Sequence, residues 1–116
     1  LVRNGKPFSE KAPPPGTRGA YSERSKYERH PRSAIGWNAT HIFLLTVDGR
    51  QPGLSVGMSL AELAEYMAKI GCTDGMNFDG GNSATMWMQG KVVNSPCVGE
   101  RPVANGLFVV RKPVPE

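Results

Sequence analysis

A chain of 116 residues with a net charge of +4 has room for one domain and a modest core. Its basic excess suits an anionic ligand but is too small, and too poor in interleaved aromatics, to make a nucleic-acid-binding face. No apolar run is long enough to span a membrane, and 14 glycines with 10 prolines against 39% hydrophobic residues announce a fold with many turns.

In chain order, Leu1-Val2-Arg3-Asn4-Gly5-Lys6-Pro7 reads as a strand end and a turn. Because the chain starts inside that strand, the expectation is that an N-terminal portion of the domain is missing. Residues 9–33 hold Pro13-Pro14-Pro15-Gly16, many charges and few large apolar groups, and read as a long loop with Tyr21 and Tyr27 pinning it to the body. Its basic residues Arg24, Lys26, Arg29 and Arg32 read as a solvated face rather than a binding arm. Residues 34–37 form a short strand. Residues 42–47, Ile-Phe-Leu-Leu-Thr-Val, are nearly all apolar, as in a central strand covered on both faces.

The clearest helix follows. Ser59 is an N-cap with Glu62 three residues on, a capping box. Leu60, Leu63, Ala64, Met67 and Ile70 recur at helical spacing and make one core-facing stripe; Met58 staples the start, and Gly71 suits the position after the last turn. Residues 76–79 then make a second buried strand. Residues 85–88 and 91–93 flank Gln89-Gly90 as a two-residue hairpin. Residues 107–110, Leu-Phe-Val-Val, read as a last core strand, and residues 112–116 as a tail. The sum is an α+β fold: a mixed β-sheet, one main amphipathic helix packed on a face, and a long N-terminal loop. The strand–helix–strand unit over residues 42–79 is expected to be a right-handed parallel crossover if its strands share a sheet. Ligands gather at the carboxyl ends of such strands, where Asp48 and Asp79 both fall.

The segment most suggestive of chemistry is Met76-Asn77-Phe78-Asp79-Gly80-Gly81-Asn82-Ser83-Ala84-Thr85-Met86. A carboxylate ends an apolar run, two glycines allow close backbone approach, and Asn82, Ser83 and Thr85 bring donors. A site for an oxygen-rich polar ligand is one reading; a tight turn that merely exposes Asp79 is the other. Asp79 in the first reading serves as acid, base or nucleophile. Arg32 and Arg101 are candidates to hold a phosphate or carboxylate, or are surface arginines; Glu100 is a second carboxylate or a solvated loop residue. One carboxylate with two arginines suffices to cleave a sugar-phosphate bond, because the departing phosphate takes the charge. Asp48-Gly49-Arg50 reads as a turn, and neither His30 nor His41 shows a partner. Cys72 and Cys97 lack metal-ligand spacing; they form one disulfide or remain two thiols.

Taken together, residues 31–36, 47–53, 55–60, 77–86, 93–94 and 101–105 resemble, block by block and in order, the phosphodiester glycosidase family, whose animal member frees N-acetylglucosamine from a sugar-1-phosphodiester. The resemblance implies a hydrolase acting on a sugar-1-phosphodiester in a glycan or cell-surface polymer, secreted or otherwise extracytoplasmic; since the residues show no dedicated metal-ligand spacing, no cofactor or metal is expected. Arg32, Asp79, Gly80, Gly81, Ser83, Thr85 and Arg101 fall on family motif positions. Asp79 and Arg32 are expected to be catalytic, with Gly80, Gly81, Asn82, Ser83, Thr85 and Arg101 binding substrate. Asn82 stands where the family often has a third glycine, and the family's upstream Asn-Gly-Gly-Phe-Phe-like strand is not found. The alternative is therefore a phosphoglycan-binding module that does not cleave, or a half-domain completed by a second chain or the missing N-terminal segment.

Overall fold

The computed structural model describes residues 1–8 and 21–112; the proline run and the end of the tail lie outside them. Two strands, β1 (Val2–Arg3) and β2 (Lys6–Pro7), turn through Asn4 and Gly5, both at positive φ. Helix α1 (Tyr21–Tyr27) leads to β3 (Arg32–Trp37) and β4 (Ile42–Val47). Helix α2 (Leu60–Lys69) and β5 (Asp74–Asn77) follow. A single 3-10 turn (Gly81–Ser83) leads into the hairpin β6 (Trp87–Met88) and β7 (Lys91–Val92).

The fold class is α+β, a five-stranded sheet in the order β2-β1-β5-β3-β4 with α2 on one face. Every neighbouring pair is antiparallel. Because β3 lies between β4 and β5 and opposes both, those two strands run parallel to each other, and their carboxyl ends lie at the same end of the sheet as the start of β3.

Helix α2 forms for the reasons its sequence states. Ser59 Oγ accepts from Glu62 N and Glu62 Oε1 accepts from Ser59 N, both at 3.2 Å. Gly71, at φ +109°, ends the helix where a side chain is strained. Leu63, Ala64 and Met67 are fully buried and pack with Val2, Ala34 and Cys72, while Met58, Ile70, Phe43, Leu45 and Val47 close around them. Burial of Leu63 and Met67 stabilises by about 1.5–3 kcal/mol each. The helix sits so close that Gly36 and Gly75, opposite each other in register, leave room for the tip of Met67. A Cβ at Gly36 would lie 2.4 Å from Cys72 Sγ and 2.9 Å from Met67 Cε.

The structure differs from the sequence reading at four elements. Residues 76–79, read as a second buried strand, are the end of β5 (Asp74–Asn77) and the loop after it; Met76 and Phe78 are exposed, because α2 covers only the face on which Gly75 meets Met67. Residues 21–27, read as loop, are the short helix α1; it has no apolar stripe of helical period, and tertiary bonds hold it. Arg29 bonds both carboxylate oxygens of Glu62 (2.9 and 3.1 Å), and the carbonyls of Ser25 and Glu28 accept from Arg32. Strand β4 is at the sheet edge, not its centre. Its Phe43, Leu45 and Val47 face the core, while Ile42 and Leu44 are exposed. Residues 107–110 form no strand and are exposed, since a strand needs a neighbouring edge and none of the described residues pairs with them. The hairpin is as expected, with Gln89 and Gly90 both at positive φ as a two-residue turn of this kind requires.

Candidate functional site

The end of the sheet where β4 and β5 finish and β3 begins gathers most of the chemistry. Register pairs Arg32 with Val47 and Ala34 with Asn77, so the segments after Val47 and Asn77 flank Pro31. Phe78 N donates to Ser33 O (2.8 Å) and Gly81 N to Pro31 O (2.9 Å), which lays the Asp79-Gly80-Gly81-Asn82 loop across the entry to β3. Gly80 is required there: a Cβ would sit 2.6 Å from the Pro31 carbonyl oxygen. Gly81, at φ +61°, begins the single 3-10 turn.

A second loop meets the first. Gly49 is buried against Pro31 and Gly57, and the next residue, Arg50, takes a positive φ of 55°. Its Nη1 donates to Asn82 Oδ1 (3.0 Å), and its Nη2 lies 3.3 Å from His30 Nδ1. His30 is held by a reciprocal pair of backbone bonds to Met58 (3.2 and 3.1 Å), and its Nε2 lies 3.2 Å from Glu28 Oε2. Burial, then the neighbouring Arg50 and Arg32 charges, push the His30 imidazole below its ordinary range, against the opposing pull of Glu28. The Cys97 thiol also donates to Asn82 Oδ1 (3.1 Å).

Polar staples fix this corner. Asp48 Oδ1 accepts from Asn94 Nδ2 (3.0 Å) and Ser95 N (2.9 Å). Asn94 also bonds Met86 N (2.7 Å) and Ala84 O (2.9 Å). Gln51 and Ser95 exchange side-chain and backbone bonds, both 2.6 Å. Asp48 is therefore a structural hook that ties the hairpin's return to β4.

The expected pocket of Asp79 facing Arg32 and Arg101 is not formed. Asp79 is exposed, and its Oδ1 accepts from the backbone N–H of the next residue, Gly80 (2.9 Å). Among the described residues nothing bonds it to Arg32 or Arg101. Arg32 is 7% exposed; its Nε donates to Met58 O (2.9 Å) and its Nη2 to Ser25 O (2.5 Å) and Glu28 O (3.0 Å). A guanidinium bonded to those carbonyls braces α1 and the approach to α2 against β3. Arg101 and Glu100 lie in the exposed stretch 98–110; Thr85 is exposed and Ser83 half-buried beside the glycines. Both cysteines are free thiols, and burial raises that of Cys72. Among the described residues, no group of three or more His, Cys, Asp or Glu is placed to hold a metal ion.

The residues that sequence reasoning passed over are therefore Arg50 and His30. Each is separated from Asn82 by tens of residues; Arg50 sits in a segment that reads as a turn, and His30 near the end of one that reads as a long loop. The one local signal is Gly49 before Arg50, a glycine needed where backbone segments cross.

Comparison with known proteins bears on this corner as a whole. The phosphodiester glycosidase family matches residues 1–110. The chain belongs to this family. A relative in Bacillus subtilis (strain 168), the SPβ prophage-derived uncharacterized protein YomE, is 32% identical over 83 residues, 70% of this chain and 13% of YomE. A solved structure of a candidate exported protein from Burkholderia pseudomallei K96243 is 49% identical, with a TM-score of 0.60, over 63% of this chain and 14% of that one. The chain thus spans about one-seventh of the length of either relative. No helix among its described residues is long and apolar enough to cross a membrane.

Proposed function

We propose that the protein hydrolyses a sugar-1-phosphodiester of a glycan or cell-surface polymer at the loop of Asp79, Gly80, Gly81 and Asn82. The observation that carries the reading is the meeting of this family motif with the Arg50 guanidinium, bonded to Asn82 at 3.0 Å. In this reading Arg50, rather than Arg32, takes the phosphate charge, since a planar fork of donors suits phosphate oxygens. Arg101 is kept as a second phosphate contact from its place in the family motif. Backbone amides of the glycine loop, with Ser83 and Thr85, hold sugar or phosphate oxygens. Asp79 takes a proton from water as the water oxygen bonds the anomeric carbon. In the same step the carbon–oxygen bond to phosphate breaks with its electron pair on the leaving phosphate oxygen, which yields free sugar and a phosphomonoester. An extracytoplasmic setting is supported by the candidate exported relative.

A second reading, binding of phosphorylated glycans without cleavage, is favoured by one observation: Asp79 is exposed and bonded to its own loop. A single experiment separates the two. The chain is incubated with an activated N-acetylglucosamine-1-phosphodiester, and both binding and released sugar are followed. Turnover that Asp79→Asn abolishes supports hydrolysis; binding with no released sugar supports the module; turnover unchanged in Asp79→Asn overturns the role given to Asp79.

A further inference from the structure

The side chains that approach the glycine loop form a series: Glu28 Oε2 to His30 Nε2 (3.2 Å), His30 Nδ1 to Arg50 Nη2 (3.3 Å), Arg50 Nη1 to Asn82 Oδ1 (3.0 Å). The chemistry of each group sets its direction. A guanidinium only donates, so His30 Nδ1 is the acceptor and its ring proton sits on Nε2, facing the Glu28 carboxylate. By the same argument the Asn82 amide is not flipped: the atom facing Arg50 must be oxygen, and the Cys97 thiol donates to that same atom. Asn82 Nδ2 then carries the amide's donors, and no described residue accepts from it. Burial and the charges of Arg50 and Arg32 push His30 toward the neutral form that this arrangement needs, although Glu28 pulls the other way.

We propose that His30 is a positioning residue, which holds Arg50 and through it the amide of Asn82 so that Asn82 Nδ2 donates to an acceptor oxygen of the phosphorylated sugar. This rests on the proposed function for the identity of the ligand, but the positioning itself is a property of the unliganded chain. It also accounts for an amide at position 82. A glycine there has no side chain for Arg50 to orient, so the donor is a feature of this chain's own sequence.

The test is made on the full chain with N-acetylglucosamine 1-phosphate as the probe, by calorimetric titration, alongside the side-chain amide signal of Asn82 in nitrogen-proton NMR spectra. His30→Asn keeps an acceptor oxygen near the Nδ1 position, His30→Gln moves it one bond farther, and His30→Leu removes it. Loss of one oriented hydrogen bond weakens binding about tenfold. The expected order is therefore the parent and His30→Asn together, with His30→Gln and His30→Leu about tenfold weaker and their Asn82 amide signal shifted without ligand. A merely structural histidine lowers the melting temperature of all three variants and does not single out His30→Asn. If His30→Leu does not fold, the contrast between His30→Asn and His30→Gln carries the test. Equal affinity and an unmoved Asn82 signal in every folded variant overturn the positioning role alone. No binding by the parent overturns the proposed ligand, and the proposal falls with it.

Discussion

Replacing Arg32 by Met separates a structural arginine from a ligand-binding one. The parent guanidinium is 7% exposed and donates to the carbonyls of Met58, Ser25 and Glu28. Met fills a similar volume and donates nothing, so those carbonyls lose a charged donor. Hydrogen bonds to charged groups are worth roughly 1.5–3 kcal/mol each. The full sum is not lost, because the carbonyls of Ser25 and Glu28 lie at the end of short α1, where water reaches them once the helix frays. A net destabilisation of about 3 kcal/mol is expected, roughly 15 °C in melting temperature for a domain of this size. Urea unfolding followed by far-ultraviolet circular dichroism measures it, with Arg32→Lys in parallel. Lys keeps the charge but not the planar fork, and is expected to recover less than half of the loss. The reasoning is refuted if Arg32→Met melts with the parent while its affinity for N-acetylglucosamine 1-phosphate collapses. That outcome would restore Arg32 to the phosphate-holding role its position in the motif suggests.

Three further outcomes follow from the packing and charge. The Arg29 bond and the Ser59 cap hold the Glu62 carboxyl down at about 2, from an ordinary 4.5. A depressed carboxylate pKa stabilises above the unfolded value and loses that contribution as pH falls through the folded one. Parent stability should thus drop between about pH 4.5 and 2 more than that of Glu62→Gln, and Glu62→Ala should cost about 1 kcal/mol at neutral pH, both read by thermal melts. Gly36→Ala should cost about 1–3 kcal/mol by overpacking, and less in a Met67→Leu background, where the crowding methyl of Met67 is gone. Asn94→Ala removes the ties to Met86, Ala84 and Asp48. It should loosen the hairpin β6–β7, seen as faster amide exchange at Met86 and Val93, while α2 stays protected.

Local devices are legible wherever one short stretch of chain suffices. The capping box of Ser59 and Glu62, the stripe of Leu63, Ala64 and Met67, and the Gln89-Gly90 turn are all read correctly from spacing, because their partners lie within a few residues. The family is legible too, since ordered blocks of residues identify it without coordinates. Position in the sheet is not: the apolar run 42–47 has the composition of a covered strand, yet β3 takes the place between β4 and β5 and leaves its outer face bare. Helix α1 escapes notice because Arg29 and Arg32 hold it from outside its own span.

The candidate site divides the same way. From composition and order alone it follows that Asp79, the paired glycines and Asn82 form a polar loop after a strand. Which cation meets that loop is decided by register, and register depends on side chains packing across the whole sheet. That packing turns Arg32 inward onto carbonyls and carries Arg50 and His30, distant in sequence, to Asn82. A guanidinium bonds whatever acceptors the tertiary fold brings within reach, and no stretch of neighbouring residues encodes that distance.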